Sequence, residues 1–464
     1  MSQWGQWLRD APVLRRNGRQ RAMPAKPGRS RPGRNTVGLV VSGGGARSSF
    51  QLGALRYLYD QAGITPSVMT GTSAGAIIAT ILAQYPDHSG QRAALARLES
   101  LWLGMDSSAD MFTEFEWFAR LRAHLPTWRK VLAMRNRSQR GDSEAHPWTP
   151  ATALEALGTL WEAGRASTDL QTIVRGPSQT RAAFRPGPIV EKLLDPQMFA
   201  PDRLAQSSVA LRVALVALES GELRFVNNSG EFRDRHDHPL PQLAPVPVAD
   251  AVRASCAIPG VFPPVLLAGE HYVDGGVREN LPAQIALERL GVTECYAVVA
   301  SPAGVRPRAS FADADMFEIV MRSGSGIMSD ELQRDEIAIA QRAGATVIAP
   351  RIDVHDLVTI DPGLMAIAID YGYLRAQDVV KGSGAARQQL TDDLIRLRIQ
   401  IWQAEEAGFN PENSDAADGG STVTDLKGRL GALLAGIPDA DLPPDAADWS
   451  RTWERHRFVI EGTF

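Results

Sequence analysis

The pentapeptide Gly71-Thr72-Ser73-Ala74-Gly75 is the only Gly-x-Ser-x-Gly in this 464-residue chain, and it offers a nucleophile. Ser67 to Gly71 ahead of it reads as a strand, and Ala74 to Gln84 behind it as an apolar helix. A serine on so sharp a strand-to-helix turn has a strained backbone that points its hydroxyl outward. Glycines two residues to either side leave room for the segments that cross there. Acyl transfer through Ser73 is the chemistry such a turn serves.

A hydroxyl needs a base before it attacks. In the α/β-hydrolase order of Ser, acid, His, a late histidine should be visible. All eight histidines follow Ser73: His88, His124, His146, His236, His238, His271, His355 and His456. None stands in a short loop after a clear late strand. His271 comes closest, but it lies inside the strand-like run that leads to Asp274, which favours a structural or supporting role. The alternative base is a carboxylate. His271-Tyr272-Val273-Asp274-Gly275-Gly276 sets an acid at the end of an apolar strand, with two glycines that keep the approach open. An aspartate is a weak base in water, and burial strengthens it by disfavouring the charged form. Taken alone, Asp-Gly-Gly is more plainly an ordinary turn.

The third element is Ser42-Gly43-Gly44-Gly45-Ala46-Arg47. Successive glycines let backbone N–H groups converge where a tetrahedral oxyanion would form, and a following helix adds its positive N-terminal end. Such a turn could equally cradle a phosphate. As a nucleotide site it is weak, because the P-loop Lys and Ser/Thr are missing and the G-x-G-x-x-G register fails at Ser48.

Three loops of this kind converge only if a sheet holds them. Val37 to Ser42 reads as a short buried strand. The helix from about Arg47 carries Phe50, Ala54 and Leu58 at i+4 spacing and ends near Gly63. Together with the strand and helix around Ser73, the order is strand, helix, strand, helix, which points to a parallel sheet with helices on its faces. The pattern resumes with strands at Val209 to Leu218 and Leu223 to Asn227 about a Glu219 to Glu222 hairpin turn. A helix from Val248 to Ile258 stops before Pro259-Gly260. A strand ending near Val273, a helix from Leu281 to Leu290 and a strand from Tyr296 to Ala300 complete the core.

Residues 86–187 interrupt this pattern with helical pieces such as Arg92 to Leu103 and Ala151 to Ala163. They hold five of the ten tryptophans: Trp102, Trp117, Trp128, Trp148 and Trp161. A lipid-facing cap is one reading of this insertion, and ordinary burial of the rings is the plainer one. Residues 301–408 are mainly helical, including Asp330 to Arg342 and Ala386 to Glu405, with one strand-like run at Ala345 to Ala349. Residues 409–464 read as a flexible linker rich in Asp, Pro, Gly and Ser, followed by a short terminal segment.

Composition narrows the class. With 44% hydrophobic and 22% charged residues the chain reads as soluble and globular. No run approaches the roughly 18 apolar residues of a membrane span. Residues 1–36 lack the apolar stretch of about 7 to 15 residues that an export signal needs. Cys256 and Cys295, the only cysteines, fit neither metal-ligand spacing nor a disulfide framework, so a reducing, cytoplasmic setting is expected. The net charge of −4 conceals a basic arm: residues 1–36 carry nine Lys or Arg against Asp10, leaving −12 elsewhere. A disordered, solvated arm is the plain reading. Contact with an anionic membrane surface through its arginines, Trp4 and Trp7 is the sharper one. Nucleic acid is not an expected partner, because no alternation of basic and aromatic residues continues past the arm.

Four blocks, GGGARSSFQLGAL at 43–55, GTSAG at 71–75, VRASCAIPGVFPPV at 252–265 and DGGVRENLP at 274–282, stand in the order seen in patatin-like phospholipases. Over residues 37–300 the chain resembles that family. The resemblance implies a three-layer α/β/α fold with a central, mostly parallel sheet, here with a helical insertion and a helical C-terminal extension. It implies a Ser-Asp dyad without histidine, with Ser73 as nucleophile and Asp274 as base. Gly43, Gly44 and Gly45 would form the oxyanion hole, Arg47 would fix that loop or support the anion, and Pro259 would be structural. Ser48 departs from the glycine that many members place after the arginine. No cofactor or metal is implied. The substrate would be a fatty-acyl ester of a phospholipid, lysophospholipid or related lipid, met at a transient membrane surface. A transacylase with the same dyad and a catalytically silent membrane-binding protein are the rival readings, and intact Ser73 and Asp274 argue against the second.

Overall fold

A computed structural model describes residues 36–120, 179–409 and 419–452, except positions 194, 306, 313, 315–318, 321 and 358–359. The basic arm, the middle of the insertion with Trp128, Trp148, Trp161 and the Ala151 to Ala163 helix, and the terminal segment from 453 lie outside the described residues.

Strand β1 (Val37–Val41) lies inside the sheet, paired in parallel with β2 (Val68–Gly71) on one side and β10 (Glu294–Val298) on the other. The small sheet of β3 (Phe112–Glu114) and β4 (Phe184–Pro186) stands apart. In the main sheet β2 is followed by β5 (Ala210–Ala217), and then by β6 (Leu223–Val226) and β7 (Phe232–Arg233) as an antiparallel meander. A hairpin of β8 (Val265–Leu267) and β9 (Glu270–Asp274) joins β5, and β11 (Thr346–Ile348) extends the parallel part beyond β10.

Successive side chains of a strand face opposite ways, and β1 shows what each face buries. Leu39 and Val41 join a large core with helices α1 (Ser48–Asp60) and α2 (Ala74–Ala83). Val40 packs the other way, with Ala283, Ala286 and Ala340. Helices on both faces make this strand run apolar throughout, without polar alternation. The first core also takes in α3 (His88–Leu103), with Trp102 fully buried. Val248–Ser255 forms α4, Ser329–Arg342 α5 and Pro362–Val380 α6; α6 covers α1 through Tyr371 and Leu374.

The described residues from Thr36 onward form one compact unit. The segment after residue 300 supplies both β11 and α6 to that core. One expectation needs correcting: residues 419–452 are not linker. Gly419–Leu434 is a helix (α8) against α7 (Ala385–Phe409), with Leu430 buried and Ile437 and Trp449 buried beyond it. Its apolar positions, Leu426, Leu430, Leu433 and Leu434, have helical spacing, but Gly, Ser, Thr and Asp dilute them in composition. Among the described residues no helix is long and apolar enough to cross a membrane.

Candidate active site

Ser73 and Asp274 meet because two strands run toward each other along one edge of β5. On its other edge β5 carries β6. On the shared edge, β2 runs parallel to β5 and stops with Gly71 opposite Val213. From the opposite direction β9 runs antiparallel and ends with Asp274 opposite Leu215. Two residues of β5, about 7 Å, separate those ends. The chain leaving β2 turns into α2 there, and Ser73 stands on the turn.

That turn is strained: Ser73 has φ 55° and ψ −128°, a conformation a side chain pays to adopt. Gly71 and Gly75 permit the fold-back. A Cβ on Gly71 would lie 2.4 Å from the Gly75 carbonyl oxygen, and one on Gly75 2.3 Å from that of Val41. The Ser73 hydroxyl lies beside the Asp274 carboxylate, and both residues are 6% exposed. Burial raises the Asp274 pKa to about 6, against the lowering effect of the Ser73 hydroxyl and of the Gly276 N–H that bonds the carboxylate. His271 stands away from this pair, with its ring on the Glu219 carboxylate at the surface.

The glycine loop lies beside Ser73, and its three residues are not equivalent. Gly43 packs on Ser73, since a Cβ there would come 3.1 Å from the Ser73 Cβ. Its N–H, however, is already donated to the Asn280 carbonyl at 3.1 Å. Among the described residues the N–H groups of Gly44 and Gly45 have no acceptor. Gly45 has φ 52° and sits against the Leu357 carbonyl, where a side chain would not fit. Arg47 spreads its guanidinium over Asp353 at 3.0 and 2.7 Å and also donates to the His355 carbonyl. Ala46 N–H bonds Leu357 O at 2.9 Å, so the loop is pinned to residues 353–357. Ser48 is buried and donates its hydroxyl to the Gly45 carbonyl. Pro259 lies exposed at the turn after α4, followed by Gly260 at φ 81°.

Several residues of the site were not singled out by sequence reasoning. The helix expected to reach Ile258 stops at Ser255, and Ser255 with the next two residues packs around Ser73 and Asp274. Ser255 Oγ accepts the Ser73 N–H at 2.9 Å and donates to the Ala214 carbonyl of β5 at 2.6 Å. The Cys256 thiol lies beside the Ser73 side chain, and burial and the Asp274 charge push its pKa up. Ala257 O accepts the Asp274 N–H at 3.0 Å. All three lie inside the 252–265 block, which was the available signal. Behind Asp274, buried Glu336 of α5 accepts the N–H groups of Asn280 and Leu281 at 2.9 and 2.8 Å. Thr72 Oγ1 and Thr70 Oγ1 hold the carbonyls of Glu279 and Pro282. Glu336 had no sequence signal, being one acid among many on a polar helix.

From Ser73 an apolar cavity of about 200 Å³ runs between α2, α4 and the insertion. Ile77, Ile81, Trp102, Phe112, Leu193 and Phe262 are among its walls. Trp102 is thus both buried and cavity-lining, which joins the two readings of the insertion tryptophans. Trp117 is tied to Thr180 by its indole N–H.

The model of the patatin-like phospholipase family matches residues 39–287. The chain belongs to this family. It is accordingly a lipid ester hydrolase, and its lipid substrate follows from membership. Among solved structures it is similar to VipD from Legionella pneumophila, at 16% identity and TM-score 0.33 over 92% of this chain and 85% of that one. It is also similar to human GIVD cytosolic phospholipase A2, at 15% identity and TM-score 0.28 over 62% and 43% of the two chains. The type III effector ExoU, from Pseudomonas aeruginosa, shows 14% identity and TM-score 0.26 over 92% and 75%.

Proposed function

We propose that this patatin-like phospholipase releases fatty acid from phospholipids or lysophospholipids through an acyl-Ser73 intermediate, with Asp274 as the sole base. The observation that carries this reading is Ser73, on a strained strand-to-helix turn at the mouth of an apolar cavity able to take an acyl chain, set beside the buried Asp274 carboxylate. Asp274 accepts the Ser73 proton as Oγ bonds the ester carbonyl carbon. The tetrahedral oxyanion is received by the N–H groups of Gly44 and Gly45, the loop donors without another acceptor. Gly43 packs against Ser73 instead. Collapse breaks the ester C–O bond, and the proton on Asp274 passes to the leaving alcohol. Water then attacks the acyl-serine, giving its proton to Asp274, and fatty acid departs as that proton returns to Ser73. Substrate would be drawn from a membrane surface.

A fluorescent fluorophosphonate tests the dyad directly. Intact mass should show one probe added to the wild type, none to Ser73→Ala and slow addition to Asp274→Asn. A folded wild type that stays unlabelled, or Ser73→Ala that labels like wild type, would remove the assignment.

A further inference from the structure

The cavity wall carries one charge. Among the described residues that line it, Arg253 alone has an ionised side chain; the other walls are aliphatic, aromatic or neutral. Its side chain is 44% exposed, so it reaches both the cavity wall and solvent. The helix fixes where that charge stands. Arg253 and Cys256 are three residues apart at the end of α4 and so share a face, about one turn apart. Cys256 lines the cavity beside Ser73. A cation therefore stands about one helical turn from the nucleophile's neighbour, beside the cavity proposed for the acyl chain.

Its partner within the chain is Asp250, one turn back on the same helix and itself partly exposed. A surface pair of that kind is worth little and leaves other N–H groups of the guanidinium unused. A planar fork of N–H donors suits a phosphate better than any other side chain does. In a glycerophospholipid the phosphate is a few bonds from the scissile ester, whereas a diacylglycerol offers a neutral hydroxyl there.

We propose that Arg253 binds the phosphate of a glycerophospholipid whose acyl chain fills the cavity, and so determines specificity for phospholipids over neutral glycerides. This rests on the acyl-Ser73 reading above. Asp250 holds the guanidinium in place when the site is empty and yields to the phosphate when it is filled.

The test compares dioleoyl phosphatidylcholine with dioleoylglycerol in the same neutral detergent micelles, using the full chain. Wild type should favour the phospholipid in kcat/KM. In Arg253→Gln that preference should fall by about tenfold or more, the scale of a lost charge-assisted hydrogen bond. Arg253→Lys should recover part of it, because the charge stays and the fork is lost. Asp250→Asn should keep or raise the preference, and it serves independently if Arg253→Gln does not fold. A parallel fall on both substrates in Arg253→Gln, no preference in the wild type, or a lower preference in Asp250→Asn would overturn the assignment. A wild type inactive on both lipids and unlabelled by fluorophosphonate would instead overturn the acyl-serine reading beneath it.

Discussion

In the proposed mechanism Asp274 would do what histidine does in other serine hydrolases, and burial supplies the means. A carboxylate with a pKa about 6 holds a proton taken from serine far better than one at its ordinary value of 3.8. It is still ionised at neutral pH. Because the base works deprotonated, kcat/KM for a water-soluble ester should fall as pH drops through about 6 and level off above about 7. Two acids nearby, half-buried Glu279 and buried Glu336, sharpen the test, since desolvation lifts them to about 7 and about 8. A limb near 4, or one only above 7, would take the role of sole base from Asp274. The linkage runs the same way. A folded pKa above the unfolded value means the ionised carboxylate costs stability above pH 6, and the cost is relieved as pH falls below it. Asp274→Asn, neutral at every pH, should therefore melt no lower than wild type at pH 8.

At the scale of elements, the glycine loop depends on a segment far along the chain. Arg47 and Asp353 make a two-pronged pair, with side chains 24% and 10% exposed, and the following Leu357 carbonyl holds Ala46. If the pair acts by fixing the loop, Arg47→Gln and Asp353→Asn should each lower kcat on a soluble ester by roughly tenfold. The double variant should be little worse than either, because residues in one contact do not add. Multiplied losses in steady-state kinetics would show that the two act separately. The contrast with Ser73 explains what the sequence could and could not reveal. Ser73, Asp274 and the glycines stood out in the sequence because each sits in a local signature, and strand and helix periods placed the elements around them within a few residues. Ser255, Asp353 and Glu336 were not, since their partners lie 182, 306 and 56 residues away and their own neighbours are ordinary. The helix at Gly419–Leu434 was hidden by composition, though its leucines were in register. Gly43 shows the limit of motif transfer: its place in the block was clear, but only the fold reveals that Asn280 already takes its N–H.

The whole molecule extends the same logic past the family match at residues 39–287. Beyond that range come β10, which flanks β1, β11, which extends it, Glu336, which clamps the loop after Asp274, and Asp353, which anchors Arg47. The tightest join is between α1 and α6. A Cβ on Gly53 would stand 1.7 Å from the Ile369 carbonyl oxygen, and one on Gly372 1.9 Å from that of Phe50. Around this crossing Phe50 meets Tyr371 and Tyr57 meets Tyr373 edge to face. Removing α6 would expose the side of α1 that carries Phe50, Ala54 and Tyr57, at a cost of roughly 1.5 to 3 kcal/mol per large side chain, besides the core that α6 itself buries with Met365, Ile367 and Leu374. That loss approaches the entire stability of an ordinary domain, about 5 to 15 kcal/mol. A chain ending at Ser301 keeps the dyad, the glycine loop and all four sequence blocks, yet it should not fold. The expected result is insoluble protein, or soluble protein with no cooperative thermal transition and no fluorophosphonate labelling. A truncated chain that melts cooperatively and labels at Ser73 would mean that the later segment is an accessory, and that the matched region alone holds the site together.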